Sequence, residues 1–240
     1  MGIVIKEPLI IFPLREVMKT KSFIDNLAGL EFKNTFNPYT DKCPVYDYFD
    51  APNKRRILLG KILKTAESID VDSIWIGRDL GYRGGRRTGL ALTDDINLPR
   101  HTQRWNVPLE KMTKGKPVPE RTATIIWDSL SKIDSNIFLW NVFPFHPFNE
   151  GVPFSNRAHN SKERQFGEEI LSELIKLIRP KRLIAIGNDA GRAVLRFNDV
   201  SEAIKVRHPS YGGQKTFIEQ INSIYQIRKN SKPIQPELFK

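Results

Sequence analysis

The period of hydrophobic and polar positions changes along this chain, and each change marks an element. "SIWIG" (73–77) and "NIFLWNV" (136–142) are short, continuous apolar runs rich in β-prone residues. Such runs predict strands buried on both faces. "RLIAIG" (182–187) predicts a third strand, and "AIKVRHPS" (203–210) a fourth that runs into a loop. Between them the period becomes helical. In "SKERQFGEEILSELIKLIRP" (161–180), Phe166, Ile170, Leu174 and Leu177 fall on one face, and Pro180 marks the stop. "NDAGRAVLRF" predicts a short helix opening at Asn188 or Asp189, and "TFIEQINSIYQI" (216–227) a closing helix. The N-terminal third is weaker in pattern. Only "LREVMKTKSFIDNLAGL" (14–30) predicts a helix there. No internal repeat or low-complexity block interrupts the chain.

Strand and helix alternate after residue 70. That alternation predicts an α/β fold: a single three-layer domain whose central, mostly parallel sheet is flanked by helices. The domain is expected over residues 1–229, with a tail at 230–240. Ligands of such sheets bind beyond the carboxyl ends of the strands. Three polar loops rich in Gly and Pro fall at such ends: Gly77–Thr88, Asn141–Asn149 and His208–Gly213.

Composition narrows the partners. The chain has 240 residues, 40% of them hydrophobic, enough for a sizeable core and against a disordered protein. Lys and Arg number 38 against 27 Asp and Glu, a net charge of +11. That excess favours a polyanion, most simply nucleic acid; the plain alternative is a protein that is merely basic. Cys43 is the one cysteine, which excludes an internal disulfide and any four-cysteine metal or iron–sulfur site. A reducing, cytoplasmic setting fits. No segment approaches the roughly 20 apolar residues of a membrane span. The run "IVIKEPLIIFPL" is broken by Lys6, Glu7 and two prolines and makes a poor signal peptide. With no P-loop, metal-ligand cluster or dinucleotide fingerprint, neither cofactor nor metal is expected.

The three loops carry the candidate chemistry. "GRDLGYRGGRRTGLALT" (77–93) sets one acid, Asp79, directly after a strand, among Gly81, Gly84 and Gly85 and the cations Arg83, Arg86 and Arg87. Freed backbone N–H groups and guanidinium groups suit phosphate. The alternative is a solvated hairpin. In "WNVFPFHPFN", Asn141 at a strand end offers a donor and an acceptor to the edge of a base. Phe143, Phe145 and Phe148 either stack on bases or pack in the core. His146 either contacts phosphate or is an ordinary surface histidine. In "RHPSYGG", His208 follows a strand and Pro209 fixes the backbone behind it. Tyr211 is either a wedge for a base stack or a surface ring.

These segments resemble, in order and spacing, the motifs of the uracil-DNA glycosylase superfamily. Its G-Q-D-P-Y-H motif appears as Gly77-Arg78-Asp79-Leu80-Gly81-Tyr82, and its G-L-x-F segment as Gly89-Leu90-Ala91-Leu92. Asn141 matches the middle strand's asparagine, and His208-Pro209-Ser210 the His-Pro-Ser motif. "RPKRLIAIGNDAGRAVL" resembles the strand–helix unit that precedes that motif, so the resemblance spans about residues 70–215.

The resemblance implies a monofunctional enzyme that flips a nucleotide from DNA and hydrolyses its N-glycosidic bond. It implies that Asp79 positions the water and stabilises the cationic sugar. His208 would stabilise the departing base, and Asn141 would read the base edge. Ser210 and the glycine-rich backbone would hold phosphates. Lys and Arg would supply DNA affinity.

Departures from the motifs bear on substrate. Gly81 replaces the tyrosine that blocks pyrimidine C5 in uracil-specific members, with Tyr82 and Arg83 beside it to refill the space. Leu92 replaces the aromatic that stacks on uracil. Tyr211-Gly212-Gly213 replaces a leucine wedge. The iron–sulfur branches are excluded by the single cysteine. The implied substrate is a pyrimidine open to substitution at C5, such as a hypermodified base of viral DNA, in a defence role. Uracil in base-excision repair is the alternative. Rivals of other classes are a non-catalytic DNA-binding module and a hydrolase of free nucleosides. The expected setting is the prokaryotic nucleoid, with a monomer as the default. "QPELF" in the tail resembles the peptide by which bacterial repair proteins dock on the sliding clamp, through Gln235, Leu238 and Phe239. Alternatively the tail folds back.

Overall fold

The computed structural model describes residues 19–197 and 202–227. The apolar N-terminal run, the start of the helix expected over 14–30, and the tail with Gln235, Leu238 and Phe239 lie outside them. In chain order the elements are α1 (Thr20–Gly29), β1 (Thr35–Phe36), α2 (Ala51–Ser68), β2 (Ser73–Gly77), α3 (Gly85–Thr88), α4 (Leu98–Arg104) and α5 (Arg121–Leu130). There follow β3 (Ile137–Asn141), β4 (His146–Pro147), α6 (Ser161–Ile178), β5 (Arg182–Ile186), α7 (Asn188–Val194), β6 (Ala203–Val206) and α8 (Gln214–Ile224).

The four long apolar runs form one parallel sheet in the order β3-β2-β5-β6. This is the parallel sheet flanked by helices that the alternation predicts. Strands β2 and β3 are buried at every position, because helices cover both faces. Alternation along each strand divides the core. Ile74, Ile76, Phe138, Trp140, Leu183 and Ala185 pack with residues of α1, α2, α6 and α7. Trp75, Ile137, Leu139, Ile184 and Ile186 pack with α5 and α8. Strand β6 is an edge strand with only Val206 buried.

Helix α6 is defined at both ends. Asn160 and Glu163 form a reciprocal capping box. Arg179, in the left-handed region (φ 45°), ends the helix and donates its N–H to the Ile175 carbonyl; Pro180 follows. Leu174 and Ile170 are buried as the pattern predicts, while Phe166 meets the Phe32 ring edge-on at 5.4 Å.

Several elements were not evident in the hydrophobic pattern: α2, the short α3 and α4, α5, and the small antiparallel pair β1–β4, in which Phe36 faces His146. Together α2 and β1–β4 form the wall behind the loop 77–93. On α2, the fully buried Arg55 is paired with Asp47, and its Nε donates to the Arg87 carbonyl at 2.9 Å. The Tyr39 hydroxyl donates to the Gly89 carbonyl at 2.7 Å. The loop is therefore pinned from inside and is not a solvated hairpin. Among the described residues, no helix is long and apolar enough to cross a membrane.

Candidate active site

The four parallel strands end on one edge, where the loops after β2, β5 and β6, with the start of α5 and residues 156–157, line a cavity of about 470 Å³. Asp79 leaves the end of β2 and His208 the end of β6, and both line this cavity. The Asp79 side chain is only 5% exposed. Its Oδ2 accepts from Arg78 Nε at 2.7 Å, and its Oδ1 is paired with Nδ1 of His159. The pairing places the proton of a neutral His159 on Nδ1. Arg78 also reaches Asp189 at 3.5 Å, at the start of α7. His159 lies in the irregular segment before α6, against the Phe143 ring. No period or motif in the sequence marks it, and tertiary packing alone brings it to Asp79.

His208 is held in one orientation. The Ser210 N–H donates to its Nδ1 at 3.1 Å, so a neutral His208 carries its proton on Nε2. Burial, then the cations Arg78 and Arg207, lower its pKa from the ordinary histidine value and favour that neutral form. Gly187, at the end of β5, has φ 91°, and a side chain there would press on the His208 Cβ at 3.2 Å. The Ser210 hydroxyl is spent partly on Thr122, 3.2 Å away. Tyr211 stands at the rim, 96% exposed, on a left-handed backbone (φ 52°) that a bulky residue seldom adopts.

Asn141 ends β3 directly opposite Gly77. It is 1% exposed, and neither Oδ1 nor Nδ2 has a partner among the described residues. A buried amide without partners is rare and asks for a ligand. Its Oδ1 occupies the space where a side chain on residue 77 would project, beside Leu92. Gly77 and Leu92 line the cavity, and the amide lies just behind them. Leu92 has a left-handed backbone, φ 53°.

Gly81 is not an open gap. The carboxyl of Glu120, at the start of α5, fills the space that a side chain at 81 or 84 would need. Burial, then the Asp94 carboxylate, push Glu120 up to about 7, with Arg83 pulling against them. Glu120 lines the same cavity as Asp79 and His208. The sequence gives no sign of it, because residues 105–120 show no regular pattern.

The loop cations divide. Arg83 is exposed, its Nε donating to the Tyr82 hydroxyl at 3.0 Å. The Tyr82 N–H meets Asn156 at 3.0 Å. Arg86 and Arg87, expected as phosphate contacts, are instead buried, 4% and 6% exposed. Arg86 donates to the Tyr46 hydroxyl and the Pro153 carbonyl and lies 4.0 Å over the Phe36 ring. Arg87 pairs with Asp95 at 2.6 Å and covers Tyr46. His146, also expected to reach DNA, is wholly buried against Arg86 and the Ser155 carbonyl. Burial, then Arg86, lower it to about 4, so it is neutral. Phe143 and Phe145 are core residues. Charge along a sequence carries no record of burial, and these side chains are used internally.

A carboxylate and a histidine thus meet at the strand ends of a parallel sheet, with an unpartnered amide behind them. The sequence profile of the uracil DNA glycosylase superfamily matches residues 67–226. The chain belongs to that superfamily of DNA glycosylases. Among solved structures, that of wild-type Pedobacter heparinus SMUG2 superposes with a TM-score of 0.57 at 13% identity. The match covers 86% of this chain and 96% of that one, so the two share a fold. No curated protein matches.

Proposed function

We propose that this chain hydrolyses the N-glycosidic bond of an extruded pyrimidine nucleotide in DNA and admits bases substituted at C5. The observation that carries this reading is the meeting of Asp79 and His208 on one cavity. Asp79 orients the attacking water and offsets the cationic charge that develops on the sugar as the bond between C1′ and the base nitrogen breaks. His208 donates from Nε2 to the base oxygen on which negative charge grows. Asn141 reads the base edge once Leu92 moves aside. Tyr211 supports the gap left in the stack. Arg83 contacts phosphate.

Each Asp79 oxygen holds one partner, Arg78 at Oδ2 and His159 at Oδ1, and keeps a second lone pair with which to accept the water. Arg78, 44% exposed and paired with both Asp79 and Asp189, stands where an approaching phosphate can draw it aside. Uracil alone is the second reading; it is favoured by the Glu120 carboxyl, which occupies part of the room that Gly81 gives.

The test is release of free base from oligonucleotides carrying uracil or C5-substituted pyrimidines, identified by mass spectrometry. The expected result is release by the wild-type protein and a loss of about a thousandfold in Asp79→Asn, with DNA binding retained. Binding without release of any base would make the chain a DNA-binding module.

A further inference from the structure

A second group of aromatic and cationic side chains lies outside the cavity. The segment before α2 exposes Val45 (68%), Tyr48 (36%) and Phe49 (89%) together. Large apolar side chains exposed in one group mark a binding surface, whereas scattered ones do not. Lysines stand over both rings. Lys42 Nζ is 5.2 Å from the centre of Phe49, and Lys54 and Lys114 are 6.0 and 5.9 Å from that of Tyr48. The backbone beneath is fixed. The Tyr48 N–H donates to the Met112 carbonyl at 3.1 Å, and the Lys114 N–H to the Tyr46 carbonyl at 2.6 Å. The acids of segments 42–54 and 109–117 are spent: Asp47 on the buried Arg55, Asp50 on Lys54 at 3.2 Å and Glu110 on Lys61 at 3.8 Å. Lys42, Lys111, Lys114 and Lys116 are exposed. None of these residues lines the cavity, and residues 42–54 precede the stretch that the superfamily profile matches.

We propose that this surface binds single-stranded DNA, with bases stacked on Phe49 and Tyr48 and phosphates held by the surrounding lysines. Every base has a face to lay on an aromatic ring, and it must be free of a complementary strand to do so. Ammonium groups set against the ring faces suit a strand that alternates flat bases with phosphates. A base that takes the ring face displaces the ammonium onto the adjoining phosphate. A protein groove that buried Phe49 would instead strip water from these lysines, which is costly unless each is paired. The surface is separate from the chemistry of the cavity and adds a second DNA contact to it.

The test measures binding of a labelled deoxyadenosine homopolymer, which offers the cavity no pyrimidine, by fluorescence anisotropy. Phe49→Ala should bind it about 5- to 100-fold more weakly than the wild-type protein, and Phe49→Trp within about threefold of it. The double variant Lys42→Gln, Lys114→Gln should lower the salt slope by about 1.4. Binding of a duplex of the same length should move less than about twofold in Phe49→Ala, and thermal unfolding confirms that the variants fold. Wild-type affinity for the single strand in Phe49→Ala overturns the proposal, as does an equal loss on single strand and duplex. A wild-type dimer that Phe49→Ala dissociates, with strand binding unchanged, makes the surface a protein interface and overturns it too. The expected losses in a protein that releases no base from any DNA would uphold this surface while overturning the glycosylase reading.

Discussion

A buried aspartate with one partner on each oxygen holds its geometry well and keeps a lone pair on each for a water. In this site the partners are His159, which is buried with Asp79, and Arg78, which is half-exposed. His159→Ala should therefore lower kcat about 10- to 100-fold with little change in KM, since it frees the carboxylate to rotate without touching the base. His159→Asn, which can still donate to Oδ1, should recover part of the loss. Glu120 gives a pH-dependent prediction. Its folded pKa is raised from 4.5 to about 7. The raised value favours the folded state at low pH, and that advantage disappears as pH rises through 7. Glu120→Gln should thus match the wild-type protein near pH 4.5 and exceed it by up to about 3 kcal/mol at pH 8.5 in urea unfolding. Asp79, Asn141 and His208 were legible because each closely follows an apolar run and sits in a known motif. His159 and Glu120 were not, because they come from irregular segments whose place is fixed only by tertiary packing.

At the scale of elements, strands β2, β3 and β5 were legible because burial on both faces makes a strand continuously apolar. Helix α2 was harder to see. Its stripe of Leu58, Leu59, Ile62, Leu63 and Ala66 is interrupted by Gly60 and lysines and opens with the buried Arg55. That arginine, with β1–β4, turns a glycine- and arginine-rich run into a rigid loop. Two substitutions in the run should consequently behave in opposite ways. Arg86→Ala should destabilise the fold by about 3 kcal/mol, because it strands Tyr46, His146 and the Pro153 carbonyl in a dry interior. Arg83→Gln should leave stability unchanged within about 0.5 kcal/mol. It should weaken DNA binding evenly across sequences and reduce the salt slope by about 1. Chemical denaturation and binding at several salt concentrations separate the two outcomes.

For the molecule as a whole, the net charge of +11 is carried at the surface, since the buried cations Arg55, Arg86 and Arg87 are matched by the buried acids Asp47, Asp94, Glu163 and Glu168, though it is spread over more than the DNA-facing edge. Binding through three or four phosphates should lose roughly 40- to 150-fold in affinity between 50 and 200 mM salt, less than the bare charge suggests. A titration by fluorescence anisotropy measures that slope. The arrangement of the site has its own consequence. Asp79, Asn141, Gly187 and His208 ride at or just beyond the ends of four strands bonded side by side, so none can travel without its neighbours. On the proposed reading, DNA must supply the distortion. Turnover then follows how readily the duplex yields at the target. A base beside a flexible pyrimidine–purine step, or one already mispaired, should reach the cavity sooner than the same base within a stiff A-tract. Flanking sequence, which nothing in the cavity touches, becomes a determinant of rate.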